Sequence, residues 1–344
     1  MKRLFALALA GIMTLSLVAC GGSKKEETKE EAKAESVELK IHCDYTEDHP
    51  TAQLLAEFCE KVNADTNGTL TIKPYYAGAL GDYTTVFDEV AQGSIDMTFG
   101  CTSVTYGQIF NLWNMPYLAP TWESAIEMFG PGSYMDTVTK ELCDEIGMTM
   151  LGFHLVGAGG LAATKMPANW ETFGADHEIL IRVPNSDTQT IPLSDMGYNI
   201  QAINWSELFT AVQTGVVDGF VGGHPPAVYD QFRDVVKYYL QINNFFEVAC
   251  IGINKATFES LSAEQQTALQ EGAVWVFNES CVRGEEVENE YLQKLEDYGI
   301  EVIKPEAAVL EELAAQCREI SWPKIKASFQ NDEIFDGLVA SLAE

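Results

Sequence analysis

One arginine of this sequence lies inside a short apolar stretch. Arg182 is preceded by Ile179-Leu180-Ile181 and followed by Val183, a run of branched aliphatic residues that is typical of a buried strand. A guanidinium group cannot lose its charge, so a buried arginine has to find an anion or reach solvent. From the residues alone two interpretations stay open: an ion pair with one of the many acids of the chain, which composition favours, or a site for an anionic ligand.

Groups that could carry out a reaction are not evident elsewhere. The sequence contains no G-x-S-x-G, no H-E-x-x-H, no P-loop and no G-x-G-x-x-G at the start of a helix. Its five histidines show no spacing typical of metal ligands. We therefore expect no cofactor and no metal, and we predict a binding protein. A surface-anchored hydrolase or lyase stays as an alternative, because a catalytic pair could be hidden among so many carboxylates.

The charge of the chain limits its partners. Acidic residues number 51 against 21 basic ones, and the formal net charge is −30. Nucleic-acid binding requires a basic footprint, which this sequence does not contain, so we predict no nucleic-acid partner. An anionic ligand would be repelled by the overall negative potential of the protein and would have to be held by hydrogen-bond donors in its binding site.

Residues 1–20 have the order of a lipoprotein signal peptide: two basic residues, an apolar run that ends at Val18, and then Ala19-Cys20. The run is shorter than the roughly 20 apolar residues that a membrane-spanning helix needs. We therefore predict that Cys20 is lipidated and anchors the protein outside the cytoplasmic membrane, in the periplasm or on the outer cell surface. Residues 21–36, rich in Lys and Glu, are predicted to form a disordered charged tether.

From residue 37 onward, strand patterns alternate with helix patterns, which is typical of an α/β fold with a largely parallel sheet. Strands are predicted over 37–42, 69–74, 93–98, 147–154, 179–183 and 216–221, and helices over 52–62, 82–92, 206–213, 263–298 and 307–326.

Three blocks of sequence together resemble the solute-binding subunits of TRAP (tripartite ATP-independent periplasmic) transporters. The first block joins Gly78-Ala79-Leu80-Gly81 to the stretch V-A-Q-G-S-I-D-M at 90–97. The second is I-R-V-P-N at 181–185, and the third is E-L-F-T-A-V-Q-T-G-V-V-D-G at 207–219. The blocks occur in the order and at the separations of that family.

The resemblance implies an α/β fold of the periplasmic-binding-protein type, with two lobes, a hinge of crossing strands, a ligand cleft between the lobes and a helical C-terminal region. Lobe I is expected over 37–156 and about 248–287, and lobe II with the C-terminal helices over 157–247 and about 288–330. The implied function is capture of a small organic carboxylate and its delivery to TRAP membrane subunits by closure of the cleft. A sensor subunit that presents its ligand to a membrane receptor kinase is the alternative with the same fold.

The resemblance also assigns roles to residues. Arg182 matches the arginine that holds the ligand carboxylate in a bidentate pair. Asn185 matches a position that adds a polar contact, Trp205 falls where the family often has an aromatic wall, and Glu207 begins the helix that follows. On this basis the anionic-ligand interpretation of Arg182 is favoured.

Two departures from the family pattern bear on the ligand. Many relatives carry a second arginine near the position of Gly159 and an asparagine at that of Gly222, so two polar anchors are missing here. We therefore expect a roomier, less polar cleft and a ligand with a single carboxylate and a bulkier or more apolar body, in preference to sialic acid or a compact dicarboxylate. His224, or Thr102 and Ser103 from the other lobe, are the candidates to replace the missing donors.

Overall fold

A nine-stranded mixed sheet runs through the computed structural model, which describes residues 36–342. Its strands are β1 (Val37–Cys43), β2 (Leu70–Tyr75), β3 (Met97–Gly100), β4 (Met148–Ala163), β5 (Leu180–Val183), β6 (Asn199–Ala202), β7 (Gly219–Gly223), β8 (Tyr238–Asn254) and β9 (Glu301–Ile303). The order across the sheet is β2-β1-β3-β8-β4-β7-β5-β6, and β9 pairs with β8. Strand β1 is parallel to β2 and β3, and β5 is parallel to β6 and β7. Strand β8 runs antiparallel to β3 and β4.

Helices alternate with strands from β1 to β3 and from β5 to β8, as the sequence predicts, although two helices precede β4 and no helix separates β4 from β5. The helices are α1 (Pro50–Asp65), α2 (Tyr83–Gln92), α3 (Trp122–Phe129), α4 (Tyr134–Glu145), α5 (Asp187–Asp195), α6 (Trp205–Gln213), α7 (Pro225–Ala227), α8 (Lys255–Ser260), α9 (Ala263–Tyr298), α10 (Ala307–Ile320), α11 (Trp322–Phe329) and α12 (Asp332–Ser341). Short 3-10 turns cover Val104–Tyr106 and Gln108–Asn114, and a π turn covers Val228–Phe232.

Local capping explains where several helices begin and end. The Asp82 side chain accepts the Thr84 N–H at the start of α2, and Gly93 ends that helix in a left-handed conformation with φ 83°. The turn at Gly93 delays the next strand, so β3 begins at Met97 and not at residue 93. The helix predicted over 307–326 is two helices, because Pro323 can occupy the first turn of a new helix but not the interior of an existing one.

Two long antiparallel strands, β4 and β8, cross the middle of the sheet. Only the first half of β4 follows a strand pattern in the sequence, because Gly157, Gly159 and Gly160 contribute no side chains to a pattern. The pairing of β4 with β8 changes register in three places, among them between Leu155 and Gly157 and between Gly159 and Leu161. Strand β8, which the local pattern did not predict, exists because β3 and β4 pair with its two edges.

Four buried hydrophobic clusters pack against the sheet. Two of them contain β4 residues from 148 to 158 and β8 residues from 246 to 253. The other two contain β4 residues from 161 to 163 and β8 residues from 239 to 242. The two long strands therefore pass from one pair of cores to the other, which is a two-lobed α/β arrangement.

Helix α9 contributes to both pairs of cores. Its Leu269 packs in a cluster with β1, Phe277 packs with α3 and α4, and Leu295 packs with α6 and β7. The helices α10, α11 and α12 complete the helical C-terminal region that was predicted. The lobe boundaries at 156/157, about 247/248 and about 287/288 stay a prediction.

Within the part of the chain that the structure describes, no helix is at once long and apolar enough to cross a bilayer. The predicted signal peptide, Cys20 and the tether up to Glu35 lie outside the described residues.

Candidate functional site

A cavity of about 390 Å³ lies where several strands end. Four of its lining residues follow strands directly: Asp44 after β1, Cys101 after β3, Pro184 after β5 and His224 after β7. These strands form two parallel sets, and the carboxyl ends of parallel strands are the usual place for ligands in open α/β sheets. The volume is in the range of about 300 to 1,000 Å³ that is typical of small-molecule sites.

Arg182 lines this cavity with a side chain that is only 2% exposed. Its Nε–H donates to the backbone carbonyl of Ile203 at 2.7 Å, and its Nη1 donates to that of Val221 at 3.2 Å. Among residues 36–342, Nη2 has no hydrogen-bond partner, and no carboxylate lies within ion-pair distance of the guanidinium. Burial lowers the pKa of Arg182 to about 10, which leaves it charged at neutral pH. The backbone therefore orients a cation whose remaining donors are available to a ligand.

The surroundings of Arg182 include three other predicted site residues. Its guanidinium lies over the Trp205 ring, 5.6 Å from the centroid, and both Asn185 and Trp205 line the cavity. Gly222 also lines it and has φ 98°, a conformation that favours glycine. A Cβ at this position would lie 3.3 Å from Nη1 of Arg182. A side chain at 222 would thus press against the guanidinium.

His224, Thr102 and Ser103, the proposed replacement donors, all line the cavity. The Thr102 hydroxyl donates to the Phe110 carbonyl at 2.9 Å, and that of Ser103 shares a hydrogen bond of 2.7 Å with Thr105. Both hydroxyls are therefore already engaged within the chain. The His224 Nδ1 accepts the Ala227 N–H, which assigns the ring hydrogen to Nε2, and burial lowers the His224 pKa to about 3. His224 is thus a neutral donor and cannot supply a second positive charge.

Two of the predicted site residues do not line the cavity. Glu207 is exposed in the first turn of α6. Gly159 is covered by the ring of Phe245, because a Cβ built on it would lie 2.6 Å from Cζ of that ring. Phe245 itself lines the cavity, so an aromatic ring occupies the space beside Gly159. The structure brings neither Glu207 nor Gly159 to the lining of the cavity.

Two carboxyl groups, a phenol and a thiol that the sequence did not single out form one part of the lining, which we call the acidic wall: Asp44, Glu247, Tyr45 and Cys101. The Tyr45 hydroxyl donates to Oε1 of Glu247 at 2.7 Å. The Cys101 N–H donates to Oδ2 of Asp44 at 3.2 Å. Burial, together with a smaller effect of nearby Asp44, raises the pKa of Glu247 to about 7, although the Tyr45 hydrogen bond opposes the shift. Sequence reasoning missed this wall because its members are separated by up to about 200 positions along the chain.

A second group of polar side chains lines the cavity beyond Asn185. Asn111 donates to Ser186 and, at 3.0 Å, to Thr188. Gln189 donates to the Asn114 carbonyl at 3.2 Å. The cavity is therefore well supplied with polar groups in spite of the glycines at 159 and 222. The expectation of a less polar cleft did not account for these residues, which come from the turn before α3 and from α5.

Among residues 36–342, no group of three His, Cys, Asp or Glu side chains is placed to hold a metal ion. The cavity instead combines one fixed cation with hydrogen-bonding side chains, which is what capture of a small polar acid requires.

Known proteins that are similar to this chain are solute-binding proteins. The family of bacterial extracellular solute-binding proteins, family 7, matches residues 43–329. A solute-binding protein of Chromohalobacter salexigens is 24% identical over 74% of this chain and 75% of its own length.

Solved structures show the same fold. A TRAP periplasmic solute binding protein of Haemophilus influenzae with bound L-gulonate has a TM-score of 0.79 at 20% identity, over 89% of this chain and 99% of its own. One from Sulfitobacter with bound β-D-galacturonate has a TM-score of 0.77 at 22% identity, over 88% and 98%.

The extent of the family match decides the assignment, since it covers most of the chain and includes all three sequence blocks. The members of this family are binding proteins of transporters, not enzymes. The chain therefore belongs to family 7 of the bacterial extracellular solute-binding proteins, the TRAP solute-binding subunits that its sequence resembles.

Proposed function

We propose that this protein captures a small organic acid with a single carboxylate and delivers it to TRAP membrane subunits. The observation that carries the proposal is Arg182: a buried guanidinium in a cavity, held by two backbone carbonyls and without a carboxylate partner among the described residues. A bidentate pair with a ligand carboxylate would satisfy the remaining donors and the charge together.

The acids bound by similar proteins support a ligand of this class. The gulonate and galacturonate of the two solved structures each carry one carboxylate. A cavity of about 390 Å³ is large enough for an acid of that size. Asn185 and Trp205, which lie beside Arg182 in the lining, would hold the polar edge and one face of such a ligand.

Delivery would proceed by closure of the two lobes around the ligand. Residues from the first half of the sheet and from the second half both line the cavity, so a ligand that contacts both would favour the closed state.

We further propose that lipidation of Cys20 keeps the protein outside the cytoplasmic membrane, beside its transporter.

The test is ligand binding by wild-type protein and by Arg182→Lys and Arg182→Gln, with Arg283→Gln as the control. Arg283 is an exposed cation that pairs with Glu57 and Glu279, so its loss should leave affinity unchanged. The panel contains D-galacturonate, L-gulonate, lactate, succinate and malate, screened by thermal unfolding and measured by calorimetry. We expect one or more monocarboxylates to stabilise the wild type.

Arg182→Gln should lower affinity by about 30-fold to several thousand-fold, since removal of one partner of a buried charged pair costs about 2 to 5 kcal/mol. Arg182→Lys keeps the charge but loses the planar fork, and we expect a loss of about tenfold or more. Circular dichroism would establish that both variants are folded. An Arg182→Gln protein that binds within threefold of wild type would exclude Arg182 as the carboxylate site.

A further inference from the structure

The acidic wall lies in the same cavity as Arg182 but belongs to a different part of the sheet. Asp44 follows β1, Cys101 follows β3 and Glu247 is in β8, whereas Arg182 is in β5. In the strand order, β4 and β7 separate β1, β3 and β8 from β5. The cavity thus receives its cation from one half of the sheet and its carboxyl groups from the other.

The charges that line the cavity are unequal. Arg182 is the one Lys or Arg side chain in the described lining, and it faces two carboxyl groups, Asp44 and Glu247. Neither acid forms an ion pair with a lysine or arginine among residues 36–342. Asp44 has only His42 as a close basic partner, at 2.8 Å, and the nearest basic atom to Glu247 is Nε2 of His224, at 3.6 Å. A bound carboxylate on Arg182 would add a further negative charge to this space.

The wall also has acceptor capacity that the chain does not use. Tyr45 donates to Oε1 of Glu247, but within the described chain Oε2 accepts no hydrogen bond. The nearest donor to Oε2 is Nε2 of His224 at 3.6 Å, slightly longer than a hydrogen bond, and this Nε2 has no other partner among the described residues. A ligand group that donates hydrogen bonds and carries positive charge would satisfy Oε2 and balance Asp44 together.

We propose that the acidic wall binds a positively charged nitrogen of the ligand, so that the preferred ligand is a small zwitterion of the amino-acid type and not an acid with an uncharged body. This inference rests on the proposed function, because Arg182 has to hold the carboxylate end. It assigns Glu247 and Asp44 as the residues that determine specificity. A zwitterion would bring no net charge into a cavity that already has more acids than bases.

The protonation of Glu247 gives this recognition a pH dependence. The groups that face Glu247 are Asp44, Tyr45, Cys101, Arg182, His224 and Tyr239. Burial raises the pKa of Glu247 to about 7, and a ligand ammonium beside it would lower that pKa again. Binding of a zwitterion should therefore release a proton near pH 6.5, and affinity should rise between pH 6 and pH 8. A hydroxy acid offers no such cation, so its affinity should not rise over this interval.

The experiment uses pairs of acids that differ only in one hydroxyl or ammonium group. They are L-lactate with L-alanine, 4-hydroxybutyrate with 4-aminobutyrate, and D-gluconate with D-glucosaminate. Calorimetry at pH 8 on wild-type protein should show at least one amino acid that binds about tenfold or more tightly than its hydroxy partner. Glu247→Gln, which keeps the size and one acceptor but removes the charge, should reduce that difference to within threefold.

Control variants separate specificity from damage to the fold. Glu259→Gln replaces an exposed acid on α8 that does not line the cavity, and it should keep the wild-type preference. Asp44→Asn tests the second acid and should weaken the amino member of a pair more than the hydroxy member. In both wall variants, the hydroxy member should bind no more weakly than it binds the wild type, because an acid that repels its carboxylate has been removed, and this result would show that the pocket is intact.

The outcomes distinguish this inference from the proposed function. If hydroxy acids, including the galacturonate and gulonate of the first panel, bind as tightly as amino acids or more tightly, and Arg182 is required, carboxylate capture stands and the zwitterion proposal is wrong. A preference for amino acids that Glu247→Gln does not change would also overturn it. If no acid of either panel binds, both proposals fail.

Discussion

Arg182 differs from the basic side chains that form surface ion pairs, both in its burial and in the groups that hold it. Lys61, Lys140 and Arg283 each have a carboxylate within 2.9 Å, and all are at least one-third exposed. Such surface pairs contribute little to stability, about 0 to 1 kcal/mol. Arg182 is buried and is held by carbonyls, which accept hydrogen bonds but cannot neutralise it. Burial of a cation without an anionic partner reduces the free energy of unfolding. We therefore assign Arg182 a role in binding a ligand.

Glu247 should make the stability of the empty protein fall as pH rises. Its folded-state pKa, about 7, is above the ordinary value of 4.5, so the folded protein binds this proton more tightly than the unfolded chain does. The stabilising contribution is therefore complete below pH 4.5 and is lost as pH rises towards 7. A shift of this size corresponds to about 3 kcal/mol in a buried group.

Glu247→Gln removes that dependence. We expect the variant to gain stability relative to wild type by about 3 kcal/mol between pH 4 and pH 8, measured by urea unfolding at each pH without ligand. Groups common to both proteins cancel in this difference. A difference that stays constant within about 0.5 kcal/mol across the range would mean that Glu247 ionises normally.

At the scale of elements, the pairing of β4 with β8 determines which side chains fit at position 159. Gly159 is opposite Phe245 in the register, and the ring lies across the glycine. A methyl group there would overlap the ring, and overpacking in a filled interior costs about 1 to 3 kcal/mol. We expect Gly159→Ala to be destabilised by that amount in urea unfolding.

Two further variants test the cause of this destabilisation. Gly152→Ala, also in β4, is the matched control, because its Cβ would meet Ala273 at an ordinary 3.6 Å. Its effect should be under about 0.5 kcal/mol. In the Phe245→Ala background, Gly159→Ala should cost at least about 1 kcal/mol less than in wild type, since the overlapping ring is gone. Equal costs in both backgrounds would show that Phe245 is not the obstacle.

At the scale of the whole molecule, the part from residue 36 onward forms one compact unit of its own. We therefore expect a protein of residues 37–344 to bind its ligand with the affinity of the full chain. Full-length protein should instead fractionate with membranes, and Cys20→Ala should appear in the aqueous fraction. Mass spectrometry of the N-terminal peptide should show a diacylglyceryl group on residue 20. Wild-type protein without that modification, found in the aqueous fraction, would disprove the anchor.

Much of the fold and part of the site could be predicted from the sequence. Periodic apolar residues located six of the nine strands and about half of the helices, including the exact bounds of α9, because such patterns follow from the geometry of each element. The order of three sequence blocks indicated the family, and the family match confirmed it. Seven of the predicted site residues line the cavity: Thr102, Ser103, Arg182, Asn185, Trp205, Gly222 and His224.

Tertiary structure alone decided the rest. The glycines of β4 remove the strand pattern from the second half of that strand, so the sequence does not predict it. Strand β8 is recognisable only from the strands that pair with it. The acidic wall exists because strand order brings Asp44 and Glu247 together, and the position of Phe245 removes Gly159 from the ligand space. A local pattern reports which face of an element is apolar. It cannot report which side chains of distant strands end at one cavity, because sheet order and register set those distances.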